Sequence, residues 1–182
     1  MHDMISTTTI STPLGNILIG ATGEGICLFD FEDRRNMNRI MNRIEKMSGK
    51  KFVEGEHPYL KRTETQISEY FSGYRTVFDL PLHFLGTPFQ KQVWQGLLQI
   101  PYGETRSYLQ QSILLGNEKA IRAVAGANGE NGIAIIVPCH RVVGTNGSLT
   151  GYGGGLQRKQ WLLQLEQKHS LHQKQGNLFP FV

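Results

Sequence analysis

The chain has only two cysteines, Cys27 and Cys139, among 182 residues. They stand far apart, so no disulfide framework is expected, and the thiols read as those of a reduced, cytoplasmic protein. No apolar run approaches the roughly 18 residues of a membrane span. The opening MHDMISTTTISTPLG lacks a basic region followed by an apolar one, so it does not read as a secretory signal. Neither CxxC nor HExxH occurs, and the six histidines are scattered, so no metal centre is expected. Acidic residues are scarce in one half only. Residues 83–182 carry 4 Asp+Glu against 9 Lys+Arg, whereas residues 1–82 carry 11 against 10. That asymmetry points to an anionic partner, such as nucleic acid, for the C-terminal half.

What is present can build a core, since 39% of the residues are hydrophobic. The stretch MISTTTISTPLGNILIGATGEGICLFDF alternates β-branched and apolar residues around turns at Thr12–Gly15 and Gly23–Gly25. It predicts a three-stranded meander with Cys27 on one face beside Phe29 and Phe31, a small buried hydrophobe. Helices follow at Arg34–Ser48 and Tyr59–Phe71. Residues 1–82 thus read as a small α+β unit, and 83–87 as a connector.

Signals sharpen beyond it. Thr87-Pro88-Phe89-Gln90 is a capping box with proline at the first helical position. Phe89, Val93, Trp94 and Leu97 form the helix's apolar stripe. Ser107 caps a helix from Tyr108 to Leu115, Gly116 stops it, and Asn117 caps another from Glu118 to about Asn128. Two short helices around a glycine turn resemble a helix-turn-helix. The second, EKAIRAVAGANG, is built of small residues with Lys119 and Arg122 as its long side chains. It suits either tight helix packing or close approach to a nucleic-acid groove.

The nucleophile candidate is Cys139 in IVPCHRVVG. A thiol beside a histidine and an arginine is expected to have a lowered pKa. Pro138 suits a turn leaving an IAIIV strand, where Cys139 and His140 can converge directly or through a water. The last helix, LQRKQWLLQLE, ends with Glu166, a candidate to orient His140. The glycine-rich GSLTGYGGGL is either a hairpin tip or a loop that wraps a flat ligand around Tyr152.

These motifs resemble the O6-alkylguanine-DNA alkyltransferases. Pro138-Cys139-His140-Arg141-Val142 is similar to that family's active-site signature. GTPFQKQVWQGLLQIPYGETRSY, GNEKAIRAVAGANGEN, IAIIVPCHRVVG and GYGGGLQRKQWLLQLE follow in the family's order from residue 86 to about 166. The resemblance implies a ribonuclease-H-like α+β domain at 1–82, a mainly helical DNA-binding domain at 88–170 and a tail at 171–182. It implies irreversible, single-turnover transfer of a methyl or alkyl group from O6-alkylguanine in double-stranded DNA to Cys139, with O4-alkylthymine a candidate second lesion. His140 is then the base through water, Glu166 its orienter and Asn131 the brace of the turn. Tyr108 donates to the flipped base, and Val142, Tyr152 and Gly153 read it. Arg122 fills the gap in the stack, with Lys119, Ala123 and Ala127 on the DNA-binding helix. The protein is expected to act as a monomer, with no cofactor, membrane or protein partner. Gly132 replaces a common proline and is expected to loosen the pocket's mouth. Gly153 stands where some members have serine, and Ala125 where glycine is common. A lesion-binding protein without transfer, a helix-turn-helix regulator and a cysteine hydrolase are the alternatives. The first lacks the acceptor cysteine, the second does not need Cys139, His140 and Glu166 together, and the third turns over acyl substrates.

Overall fold

A computed structural model describes residues 4–176, with side chains through Leu171. Residues 177–182 of the expected tail lie outside the described residues. The meander forms as expected: β1 (Met4–Thr12), β2 (Gly15–Thr22) and β3 (Gly25–Phe31) pair antiparallel. A fourth strand, β4 (Lys51–Glu54), adds parallel to β1 and gives the order β3-β2-β1-β4. Its four residues, KFVE, hold only Phe52 and Val53 as strand formers, too short a run to be read as a strand from the sequence. α1 (Met37–Ser48) covers one face of the sheet through Met37, Ile40 and Ile44, and α2 (Pro58–Phe71) covers the other through Leu60, Ile67 and Tyr70. α1 begins three residues later than expected, after a turn in which Arg34 folds inward to pair with Asp30.

Cys27 is buried, but not on the expected face. Gly20 pairs with Leu28 and Ala21 with Ile26, so Cys27 is an extra residue in the ladder. The bulge shifts the side-chain alternation by one. Cys27 and Leu28 therefore pack under α1 with Ile5 and Ile40, while Phe29 and Phe31 join the opposite core.

The connector is pinned to β3. Ile26 N–H donates to Pro81 O at 2.8 Å, and His83 N–H to Ile26 O at 2.8 Å. Beyond it, the expected capping box of Thr87 and Gln90 starts α3 (Pro88–Leu97). Val93, Trp94 and Leu97 are buried, but Phe89 is 37% exposed at the helix start. The two-residue strand β5 (Arg106–Ser107) leads into α4 (Tyr108–Leu114), which opens on a second capping box, Ser107 with Gln110. A glycine turn and a single 3-10 turn precede α5 (Ile121–Gly129). α5 packs against α3 and α4, as a helix-turn-helix requires.

The expected IAIIV strand does not form. Only Ile133 bridges to Phe29, and the chain then turns through Ile135 at φ 66°. Continuous apolar character marked burial correctly, since residues 133–137 are all buried, but period alone could not separate a buried strand from a buried turn. β6 (Val142–Val143) pairs parallel with β5. α6 (Leu156–Gly176) runs well past the expected end, leaving Glu166 in mid-helix. One apolar core extends from Ile17 and Phe29 to Val93, Val142 and Leu162, so the sheet and the helices share it. No helix among the described residues is long and apolar enough to cross a membrane.

Gly25 tests the docking of the connector. Its φ is 146°, and a Cβ there would lie 2.4 Å from Pro81 O. That oxygen is backbone, so the clash cannot relax through a side chain. Gly25→Ala is expected to lower unfolding free energy by about 1–3 kcal/mol, read as a shifted midpoint in denaturant.

Candidate active site

Three devices bring distant residues to Cys139. The first is the parallel pair β5–β6. It sets Ser107 beside Val143, so the start of α4, with Tyr108, lies next to the cysteine turn. The second is Asn131. Its Oδ1 accepts from Ile133 N–H at 2.9 Å, while its Nδ2 donates to Val137 O at 2.9 Å and to Cys139 Sγ at 3.2 Å. One amide thus closes the loop and contacts the sulfur. Ile135, a β-branched residue with positive φ, shows that this closure holds the backbone in an uncommon conformation.

The third device is a buried carboxylate. Residues Cys139–Arg141 make one 3-10 turn that sends His140 and Arg141 inward. Glu166 meets both. His140 Nε2 lies 2.7 Å from Oε1, and Arg141 Nε and Nη2 donate at 2.9 and 3.0 Å. Tyr70 O–H of α2 donates at 2.7 Å and Gly103 N–H at 3.2 Å. Burial opposes the charge on Glu166, yet His140 and Arg141 hold its carboxyl well below the usual range. Burial pushes His140 below its ordinary pKa against the pull of Glu166, which favours neutral imidazole. Donation from Nε2–H to the carboxylate leaves the Nδ1 lone pair facing inward with no protein partner.

The thiol differs from expectation. Burial pushes the Cys139 pKa up, against the opposing effects of the Asn131 amide, Arg34 and Lys159. The charges of its sequence neighbours do not lower its pKa at rest, because Arg141 is paired with Glu166 and burial favours the neutral form of His140. A resting thiol is therefore expected.

Two charged groups that the sequence did not single out face the site. Arg34 pairs with buried Asp30 and donates to Asn131 O at 2.7 Å and to Gly129 O. Burial pushes Asp30 up to about 6 although Arg34 opposes this. Lys159, fully buried, donates to Val142 O at 2.5 Å, Thr150 O at 2.7 Å and Gly151 O at 3.1 Å. Burial pushes its pKa down to about 8. It ties the cysteine turn to the glycine-rich loop. No hydrophobic pattern reveals a lysine or arginine that points inward.

That loop walls a cavity of about 220 Å3, lined by Cys139, Tyr108, Tyr152, Gly153, Asn128 and Ala125. Tyr108 O–H donates to Thr150 O or Gly151 O at 3.2 Å. Burial pushes its pKa up to about 12. The Tyr152 hydroxyl is buried without a partner. A Cβ at Gly153 would sit 2.4 Å from Arg34 Cζ, so the guanidinium occupies the space a serine side chain would need. Val142 is buried at the turn. Gly132 does not loosen the mouth: its carbonyl accepts from Phe29 N–H at 2.8 Å, and a Cβ would press on Ile40. On α5, Arg122, Ala123, Ala125 and Gly126 are exposed, as is Lys119 before it. Ala127 is not on that surface. It is buried, and its carbonyl accepts from Trp94 Nε1–H at 2.8 Å, because the helical period turns it toward α3.

Residues 88–168 match the DNA-binding domain of 6-O-methylguanine DNA methyltransferase, and residues 5–84 match its ribonuclease-like domain. A methylated-DNA–protein-cysteine methyltransferase of Methanosarcina barkeri is 42% identical over 88% of this chain and 96% of its own. One of Mycolicibacterium paratuberculosis is 43% identical over 92% and 95%. The crystal structure of Mycobacterium tuberculosis O6-methylguanine methyltransferase aligns with TM-score 0.76 and 41% identity, covering 91% of this chain and 94% of that one. The structure of Mycobacterium tuberculosis OGT in complex with DNA aligns at 0.77 and 40%, covering 90% and 94%. The fold and the cysteine site are thus those of a cysteine-bearing methyltransferase with a DNA-binding domain. The chain belongs to the methylated-DNA–protein-cysteine methyltransferase family.

The raised thiol pKa has a direct test. Alkylation of Cys139 by iodoacetamide is expected to stay slow through neutral pH and to climb only above the ordinary thiol range. A rate that levels off near pH 7 would mean a thiolate at rest.

Proposed function

We propose that the protein repairs DNA by direct reversal, moving the alkyl group of O6-alkylguanine to Cys139 Sγ in one turnover, as a monomer on double-stranded DNA. The observation that carries this reading is a free thiol at the floor of a cavity walled by two tyrosines, one residue from a histidine–carboxylate pair. The target carbon is out of reach inside a duplex, so the nucleotide must be extruded, at a cost of a few kcal/mol. Tyr152 and the bare backbone of Gly153 suit the faces and edge of an aromatic base.

The chemistry balances without a cofactor. The thiol proton passes through a water to His140 Nδ1, whose ring is held by Glu166 through Nε2–H. Sγ attacks the alkyl carbon, the S–C bond forms, and the C–O6 bond breaks. The departing guanine takes up negative charge, which the Tyr108 hydroxyl stabilises by donation until the proton held on His140 returns through water to the base. Lys159 and Arg34 stabilise the thiolate while it exists. The thioether is not reversed, so each molecule acts once.

Arg122 and Lys119 supply cations on a helix whose exposed neighbours are Ala123, Ala125 and Gly126. Small residues let the backbone approach a groove, and Arg122 is long enough to occupy the gap left by the base.

Duplex DNA with one O6-methylguanine is expected to add one methyl to the Cys139 peptide and none to the Cys27 peptide, read by mass spectrometry. Burial pushes the Cys27 thiol up to about 12, so it does not compete. Methylation of Cys27, or more than one transfer per molecule, would end the reading. Arg122→Ala is expected to slow repair in duplex about tenfold or more, the scale of a lost base-flipping contact, yet to leave reaction with free O6-benzylguanine nearly unchanged. Equal slowing on both would make Arg122 a pocket residue instead.

A further inference from the structure

We propose that the exposed face of α1 is a second contact surface for duplex DNA, holding the phosphate backbone beside the segment engaged by α5; this rests on the DNA-repair reading above. Residues 34–51 contain seven Lys or Arg and one acid, Glu45, whereas the rest of residues 1–82 has three basic and ten acidic residues. The positive charge of this half is thus concentrated on α1 and the short segments at its two ends, with Arg34 turned inward to Asp30. Asn38, Arg39, Asn42 and Lys46 are exposed at helical spacings along one face of α1, and Arg35 is exposed in the turn just before it. Glu45 does not interrupt it, because its carboxylate is engaged by Lys51 and Phe52 N–H. Arg35 and Lys46 enter none of the ion pairs among the described residues.

The stripe is continuous with the helical domain. Arg39 and Arg43 both pair with Glu130, the C-cap of α5. Arg43 also lies 5.3 Å over the Trp94 ring of α3. The stripe's chemistry fits phosphate. Cations interleaved with asparagine amides offer donors at intervals, as backbone-positioning contacts need. The stripe has no aromatic anchor of the sort that dominates protein–protein contacts.

The test compares Arg35→Gln/Lys46→Gln with the parent in a Cys139→Ser background, which binds without reacting. Affinity for a 24-base-pair duplex holding O6-methylguanine is measured against salt. Two lost phosphate contacts are expected to flatten the log–log slope by about 1.8, so that the affinity change between 50 and 200 mM salt shrinks about twelvefold. Lys61→Gln, which removes an exposed cation on α2, is expected to leave the slope unchanged. With Cys139 present, the double variant is expected to react with free O6-benzylguanine at the parent's rate, which shows an intact fold. An unchanged slope in that folded variant overturns the proposal and leaves the face to an acidic protein or a second copy. Equal flattening by Lys61→Gln also overturns it, as an effect of net charge alone. Failure of the parent itself to take an alkyl group from the duplex would instead overturn the repair reading.

Discussion

A carboxylate taken out of water needs partners for all its lone pairs, and Glu166 finds four of them on three separate pieces of chain. Tyr70 comes from the sheet domain, Gly103 from the α3–β5 loop, and His140 and Arg141 from the cysteine turn. A buried charge is costly unless fully compensated, so this arrangement tolerates no partial assembly. The turn cannot rotate without leaving Arg141 or Glu166 unpaired inside the protein, a loss of about 3–5 kcal/mol by analogy with broken buried pairs. The same carboxylate that fixes the histidine tautomer therefore fixes the fold around it. Replacement of Glu166 alters stability as well as proton movement, and rate measurements alone cannot separate the two.

The thiol follows from the same constraint. Because His140 and Arg141 are turned to Glu166, the cysteine beside them lies in a cavity without their charges. Burial keeps it protonated, and the opposing groups come from elsewhere: Asn131, Arg34 and Lys159. A buried neutral thiol is a poor target for stray electrophiles. On the proposed chemistry it becomes a nucleophile only when a base fills the cavity and the proton can leave toward Nδ1. Such latency suits a protein that each reaction consumes.

How much of this was legible depended on whether the signal was local. Both capping boxes, Thr87 with Gln90 and Ser107 with Gln110, are short-range chemistry, and the helices begin where that chemistry puts them. The meander was legible for the same reason. The failures share another cause. The bulge at Cys27 and the turn through Ile135 depend on what the strand packs against, and the apolar pattern is the same either way. α6 is the clearest case. Its inward stripe is Lys159, Leu162 and Glu166, all fully buried, so hydrophobicity pointed the wrong way for two residues of three. Glu166 was singled out because His140 needs an orienting carboxylate, and Lys159 was not. Functional sites are where local rules are expected to be broken.

The sheet domain belongs to the site and is not merely attached to it. Arg34 leaves β3's end, pairs with Asp30 and bonds the carbonyls of Gly129 and Asn131, the residues that end α5 and contact Cys139 Sγ. It also fills the space behind Gly153, so one guanidinium backs the asparagine and the base-reading loop together. Tyr70 reaches Glu166 from the same domain. Each contact needs the sheet at a fixed distance from the helices, which the common core of Phe29, Val93, Val142 and Leu162 supplies. A helical domain without this sheet would leave Arg34's two carbonyls and one Glu166 acceptor site unpaired. The nucleophile's setting is thus a property of the whole chain, although the nucleophile and its histidine lie in one 3-10 turn.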